Sequence, residues 1–194
     1  MEHELVISRQ DERSAEVVVQ CLLADHAVIL PCDTIYGLSA RVPQGENLLR
    51  EIKGRSADKS FLVLATLEMA RSLSGGHLPP GLEEIWPAPL TAIVNTQDGG
   101  TIGIRVPDDV FIQKILEMVG TPIYSTSVNV SGEKAMLSFD EIFSHYGMDE
   151  RIALFVIGSS SVGTTMASTI VDCTVRPYRI LRQGAYDATT LIRE

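Results

Sequence analysis

The apolar runs in this sequence are only four to six residues long, and proline, glycine or polar turns follow them. Ala27-Val28-Ile29-Leu30 stops at Pro31, and Phe61-Leu62-Val63-Leu64-Ala65 stops at Thr66. Runs this short, bounded by breakers, read as strands with both faces buried, because a helix needs ten or more residues to bury a stripe. Helical patterns fill the gaps between them. Val17, Val18, Cys21 and Leu22 share one face of a helix over Asp11 to Asp25, and Leu48, Leu49 and Ile52 do the same over Gly45 to Ile52. A shorter helix over Glu68 to Leu73 ends at Ser74-Gly75-Gly76.

Thr91 to Asn95 and Thr101 to Val106 flank Gln97-Asp98-Gly99-Gly100, a strand–turn–strand pattern that predicts an antiparallel hairpin. Prolines at 79, 80, 87 and 89 exclude a central strand or long helix between them and leave an ordered loop or helix-loop. Asp108-Asp109 opens a helix through Val119, and Pro122 to Ser125 is a strand. Ser138-Phe139-Asp140-Glu141 resembles a capping box for a helix ending near Gly147. Ile152 to Ile157, Ser168 to Asp172 and Arg179 to Leu181 supply the last strands. Strands that alternate with helices but are interrupted by hairpins predict a mixed α/β fold, with a twisted parallel and antiparallel sheet flanked by helices. No repeat or linker divides the chain, so residues 1–194 read as a single domain.

Composition sets the outer limits. With 45% hydrophobic and 21% charged residues in 194, the chain has ordinary globular values. Sixteen Lys+Arg against 25 Asp+Glu give a net charge of −9, which argues against gripping a long nucleic acid and permits a small anionic ligand held by a few local cations. Three unpaired-looking cysteines, Cys21, Cys32 and Cys173, and a start without a basic segment leading into an apolar one point to the cytoplasm. No apolar stretch is long enough to span a membrane. The sequence leaves monomer and homodimer equally open.

Standard catalytic motifs are missing: there is no Walker loop, no dinucleotide fingerprint and no nucleophile elbow, and His3, His26, His77 and His145 lie far apart. Ser159-Ser160-Ser161-Val162-Gly163 reads as a phosphate nest or a plain loop. What remains is cations and hydroxyls at strand ends. Lys53-Gly54-Arg55 with Lys59 would set an ammonium and a guanidinium on one side of an extended loop, suited to polyphosphate, or else form a solvated turn. Arg105, among apolar neighbours, requires an anion, either a ligand carboxylate held bidentately or an internal Asp or Glu. Ser125, Thr126, Ser127, Asn129 and Ser131 collect four hydroxyls and an amide directly after an apolar strand, more than turn chemistry needs. Arg182 is a further cation leaving a strand.

Taken together, these segments resemble the YrdC/TsaC family, the threonylcarbamoyl-adenylate synthases, from about residue 12 to 185. Pro31-Cys32-Asp33-Thr34-Ile35-Tyr36-Gly37 resembles the family's P-T-[DE]-T-x-Y-G, and Lys53-Gly54-Arg55 its K-x-R. Trp86-Pro87-Ala88-Pro89-Leu90-Thr91 resembles W-P-G-P-L-T, and Ser125 to Gly132 resembles S/T-x-S-A-N-x-S-G. Ser168 to Asp172 and Ile180 to Gly184 complete the order. Departures fall at Cys32, Ser60, Ala88 and Val128, and at Leu64, where some relatives carry histidine.

The resemblance implies a YrdC/RibB-like fold with a concave ligand-binding face. It implies ATP as substrate with Mg2+ carried on it, L-threonine and bicarbonate as co-substrates, and a downstream threonylcarbamoyl-transferase complex that acts on tRNA. It places Thr34, Arg105, Ser125 and Ser168 at threonine, and Arg55, Lys59, Thr101, Ser127, Ala135 and Arg182 at the nucleotide. Lys53 and Arg55 become catalytic candidates, with Asn129 and Ser131 in support. Other readings of the same resemblance are an RNA-binding or ribosome-maturation protein, a carbamoyl-transfer domain of the hydrogenase-maturation type, and an inactive nucleotide-binding paralogue.

Overall fold

A computed structural model describes residues 5–158 and 166–191; the serine-rich run 159–163 and His3 lie outside them. Among the described residues, ten strands form one mixed sheet: β1 (Val6–Ser8), β2 (Ala27–Leu30), β3 (Gly37–Arg41), β4 (Leu62–Leu64), β5 (Leu90–Asn95), β6 (Thr101–Arg105), β7 (Ile123–Ser127), β8 (Ile152–Ile157), β9 (Thr169–Asp172) and β10 (Arg179–Arg182). Their order across the sheet is β1-β8-β2-β3-β7-β4-β6-β5-β9-β10. β8 runs parallel to both β1 and β2, and parallel pairs also join β4 to β6 and β5 to β9. The remaining pairs are antiparallel, including the β5–β6 hairpin read from the sequence.

Six helices among the described residues pack on this sheet: α1 (Ser14–Leu23), α2 (Glu46–Lys53), α3 (Leu67–Leu73), α4 (Leu82–Ile85), α5 (Val110–Val119) and α6 (Phe139–Tyr146). Four of them start or stop where local chemistry dictates. Asp109 caps α5 by accepting from the backbone N–H groups of Phe111 (3.0 Å) and Ile112 (3.2 Å), and Arg9 holds that carboxylate through two N–H groups at 2.9 and 2.5 Å. Thr66 caps α3 and Ser138 caps α6. The reciprocal half of the expected capping box differs: the Glu141 carboxylate accepts from Leu137 N–H at 3.2 Å rather than from Ser138. Gly54, at φ 59°, ends α2 in the left-handed conformation that a side chain disfavours.

Alternation along β2 divides the core. Val28 and Leu30 pack with α1 and α5, while Ala27 and Ile29 pack with α2 and α6. A third apolar cluster joins α3 and α4 to β5, β6 and β9 and seats Trp86, whose indole N–H donates to the Leu90 carbonyl at 2.9 Å. The WPAPL segment is therefore an ordered, buried connection. Two strands lie outside the apolar runs noted above. β1 has only three residues, and β3 reads Gly-Leu-Ser-Ala-Arg, with no β-branched residue, yet pairs with both β2 and β7 at the centre of the sheet. Its place comes from its neighbours, not from strand propensity.

Candidate active site

One stretch of the sheet is left uncovered beside the α1–α5 pair, and it forms a cleft of about 400 Å³. The period of two along each strand builds it. On β6, Thr101, Gly103 and Arg105 face the cleft while Ile102 and Ile104 enter the apolar cluster behind it. β7 supplies Ser125 and Ser127, β5 supplies Thr91 and Ile93, and β10 supplies Arg182. The loop after β2 contributes Cys32, Thr34 and Tyr36, and the approach to β9 contributes Ala167 and Ser168.

Two glycines make this convergence possible by close approach. A Cβ on Gly37 would fall 2.5 Å from Ser125 Oγ, and one on Gly184 would fall 2.2 Å from the Ala167 carbonyl oxygen. These are the final glycines of the PCDTIYG and ILRQG motifs, and each marks a crossing point of segments.

At the floor, Arg105 is 5% exposed and ion-pairs through Nη2 with Asp33 Oδ1. Its Nη1 donates to Thr34 Oγ1 at 2.8 Å, and Nε, buried, has no partner among the described residues. The anion that the sequence required is thus internal, although the guanidinium still borders the cleft. Ser168, 3% exposed, shares a hydroxyl hydrogen bond of 2.8 Å with Thr91. Arg182 leans on the same residue, donating Nε (3.1 Å) and Nη2 (2.8 Å) to the Ser168 carbonyl. Burial, with Arg105 as a second cause, holds the Arg182 pKa below its usual value, which marks the two guanidiniums as electrostatic neighbours.

The Lys53-Gly54-Arg55 geometry differs from the expectation that both cations share one side. Lys53 still belongs to α2 and turns inward, 2% exposed; its ammonium donates to Ser127 O (2.6 Å), Asn129 O (2.9 Å) and Asn129 Oδ1 (2.6 Å). All three of its N–H groups are spent on the loop after β7. Burial, reinforced by Arg55, pushes its pKa down to about 8. Arg55, past the left-handed Gly54, faces the cleft instead. It lies 4.8 Å over the Phe61 ring and donates to the Lys59 (3.2 Å) and Ser60 (2.7 Å) carbonyls.

Of the residues singled out from sequence, Thr34, Arg55, Thr101, Arg105, Ser125, Ser127, Ser168 and Arg182 line the cleft together. Lys59 is exposed outside its lining, and Ala135 sits partly buried in the loop after β7. Asn129 and Ser131 brace that loop. Asn129 accepts from Ser127 Oγ (2.8 Å) and donates to Glu133 O (2.6 Å), while Ser131 N–H donates to Lys53 O (3.0 Å). Thr91 and Tyr36 were not singled out. Both stand inside the quoted motifs, and Tyr36 ties its loop to the end of β8 by accepting from Gly158 N–H at 2.8 Å. Leu64 is buried in the α1–α5 cluster and does not line the cleft.

A ten-stranded mixed sheet with helices packed on it, and a cleft where arginines and hydroxyls meet, place the chain among the mixed α/β proteins. The Sua5/YciO/YrdC family model, described as telomere recombination, matches residues 20–184, and the chain belongs to that family. It is 29% identical over 220 residues to the threonylcarbamoyl-AMP synthase of Rattus norvegicus, covering 98% of this chain and 76% of that one. To the threonylcarbamoyl-AMP synthase of Vibrio campbellii it is 25% identical, covering 89% of this chain and 100% of the relative. The fold matches Pyrococcus abyssi Sua5 complexed with L-threonine at a TM-score of 0.83 and 24% identity; 97% of this chain is covered, and it spans 60% of the length of that chain.

Proposed function

We propose that this protein is a threonylcarbamoyl-AMP synthase, a nucleotidyl transferase that joins L-threonine, bicarbonate and ATP into threonylcarbamoyl-adenylate with release of pyrophosphate. The observation that carries this reading is the convergence of Arg55, Arg105 and Arg182 with the hydroxyls of Thr34, Thr101, Ser125, Ser127 and Ser168 on one cleft. Three guanidiniums and five hydroxyls suit a carboxylate and a polyphosphate held side by side. The names of the relatives supply the chemistry that fits such a pair.

In this reading the threonine amine takes up bicarbonate with loss of water, or carbon dioxide with loss of a proton, and an oxygen of the resulting carbamate attacks the α-phosphorus of ATP. The P–O bond to the β-phosphate breaks and pyrophosphate leaves. No protein nucleophile is used, so catalysis rests on positioning and on neutralising charge. Thr34, Arg105, Ser125 and Ser168 hold threonine. Arg55, Arg182, Thr101 and Ser127 hold the nucleotide, with Lys59 and Ala135 at its margin. Lys53 contributes from beneath by fixing the Ser127–Asn129 loop, and Ser131 closes that loop. Magnesium enters as part of the ATP substrate, held by phosphate oxygens and water. The adenylate passes to a threonylcarbamoyl-transferase complex acting on tRNA, in the cytoplasm.

The test follows pyrophosphate release from ATP while threonine and bicarbonate are added or withheld. Release should require both; release that ignores them sinks the proposal.

A further inference from the structure

Arg105 reaches the cleft from the end of β6, and the residue behind it is Asp33, which does not line the cleft at all. Both oxygens of Asp33 are already engaged. Oδ1 pairs with Arg105 Nη2 and accepts from the Cys32 thiol at 3.0 Å, and Oδ2 accepts from Asp108 N–H at 3.2 Å. One carboxylate therefore ties the loop after β2 to the turn between β6 and α5, with the guanidinium clamped between them. That turn is anchored again one residue later, where Asp109 caps α5 and pairs with Arg9.

The consequence lies in which N–H groups of Arg105 stay available. A guanidinium has five in a rigid plane. Asp33 and Thr34 take one each, and Nε is buried without a partner among the described residues. Arginine on an aliphatic stem keeps substantial rotamer freedom unless its head is fixed, and recognition of a planar carboxylate depends on a fixed fork. The Asp33–Arg105 pair is also neutral overall, so an anion arriving there is selected by directed hydrogen bonds more than by net charge.

We propose that Asp33 is a positioning residue for amino-acid binding: it locks the Arg105 guanidinium in the plane that receives the substrate carboxylate, and it acts only through Arg105. This rests on the reading above that the cleft takes an amino acid. Asp33 should then govern the affinity for the amino acid and leave the affinity for nucleotide alone.

Calorimetric titration separates the possibilities. L-threonine, in the presence of a non-hydrolysable ATP analogue, and the analogue by itself are titrated into the wild type, Asp33→Asn and Asp33→Glu, with thermal melts to confirm folding. Asn keeps the shape and an acceptor for Asp108 N–H but removes the charge. Threonine affinity should fall at least tenfold in Asp33→Asn, analogue affinity should stay within twofold, and Asp33→Glu should bind threonine more tightly than Asp33→Asn. Unchanged threonine affinity in Asp33→Asn, equal loss for both ligands, or no gain from glutamate overturns the proposal. If Asp33→Asn melts below the assay temperature, the ratio of threonine to analogue loss in Asp33→Glu decides alone, with equal losses counting against it. Wild-type protein that binds threonine without releasing pyrophosphate would overturn the proposed reaction and leave the role of Asp33 standing. Wild-type protein that binds no threonine overturns both.

Discussion

Lys53 reaches from the last turn of α2 to two oxygens of Asn129, the backbone carbonyl at 2.9 Å and the side-chain amide oxygen at 2.6 Å. The pair fastens a helix end to the loop that presents Ser127, and it has a pH signature. The folded pKa of about 8 lies below the ordinary 10.5, so between those values the unfolded chain holds a proton that the folded chain has released. Stability from Lys53 therefore rises with pH across that window. Urea titrations should show the stability difference between the wild type and Lys53→Met moving in favour of the wild type as pH rises across that window. Lys53→Met should also raise the KM for ATP at least tenfold.

Arg55 is held less deeply. Its substitution by alanine removes a stack on Phe61 and two hydrogen bonds to carbonyls at a partly exposed site, costing about 1 kcal/mol of stability or less. Turnover with ATP should nevertheless drop at least tenfold, while the circular-dichroism spectrum keeps its shape. Wild-type kinetics in Arg55→Ala would remove it from the site.

Gly184 tests the crossing at Ser168. A Cβ there would meet only backbone, the Ala167 oxygen at 2.2 Å and the Ser168 carbonyl atoms at 2.5 Å, and backbone cannot rotate away. Overpacking of this kind costs about 3 kcal/mol, so the Tm of Gly184→Ala should fall by roughly 6–12 °C. Because Ser168 would shift with it, and Arg182 leans on the Ser168 carbonyl, binding of threonine and of nucleotide should both weaken, measured on protein still folded at the assay temperature.

The cysteines should be inert in the folded protein. Burial pushes the Cys32 thiol far up, takes Cys173 up to about 12, and raises Cys21 as well. Near pH 8 a thiol reagent should label the native protein slowly and count three thiols at once after denaturation. Rapid native labelling mapped to Cys32, the buried one of the three, would show that the cleft wall there opens.

The elements legible in the sequence are those with a strong local cause. The four-residue run at 27–30, the Gly-rich turn at 97–100, and the caps at Asp109 and Ser138 each draw on interactions within a few residues, so they can be read without the fold. β3 could not be read this way, because Gly37 to Arg41 earns its place through the ladders offered by β2 and β7.

The site divides in the same way. Sequence order and residue type marked the arginines and hydroxyls, and alternation on β6 already set Thr101, Gly103 and Arg105 on one face. Which cation faces the cleft was decided by tertiary structure. A left-handed Gly54 turns Arg55 outward while α2 buries Lys53, and Asp33, not a ligand, supplies the first anion to Arg105. Charge and periodicity are properties of the chain, but the direction of a side chain at a helix end, and the partner that neutralises it, depend on contacts between segments far apart in sequence.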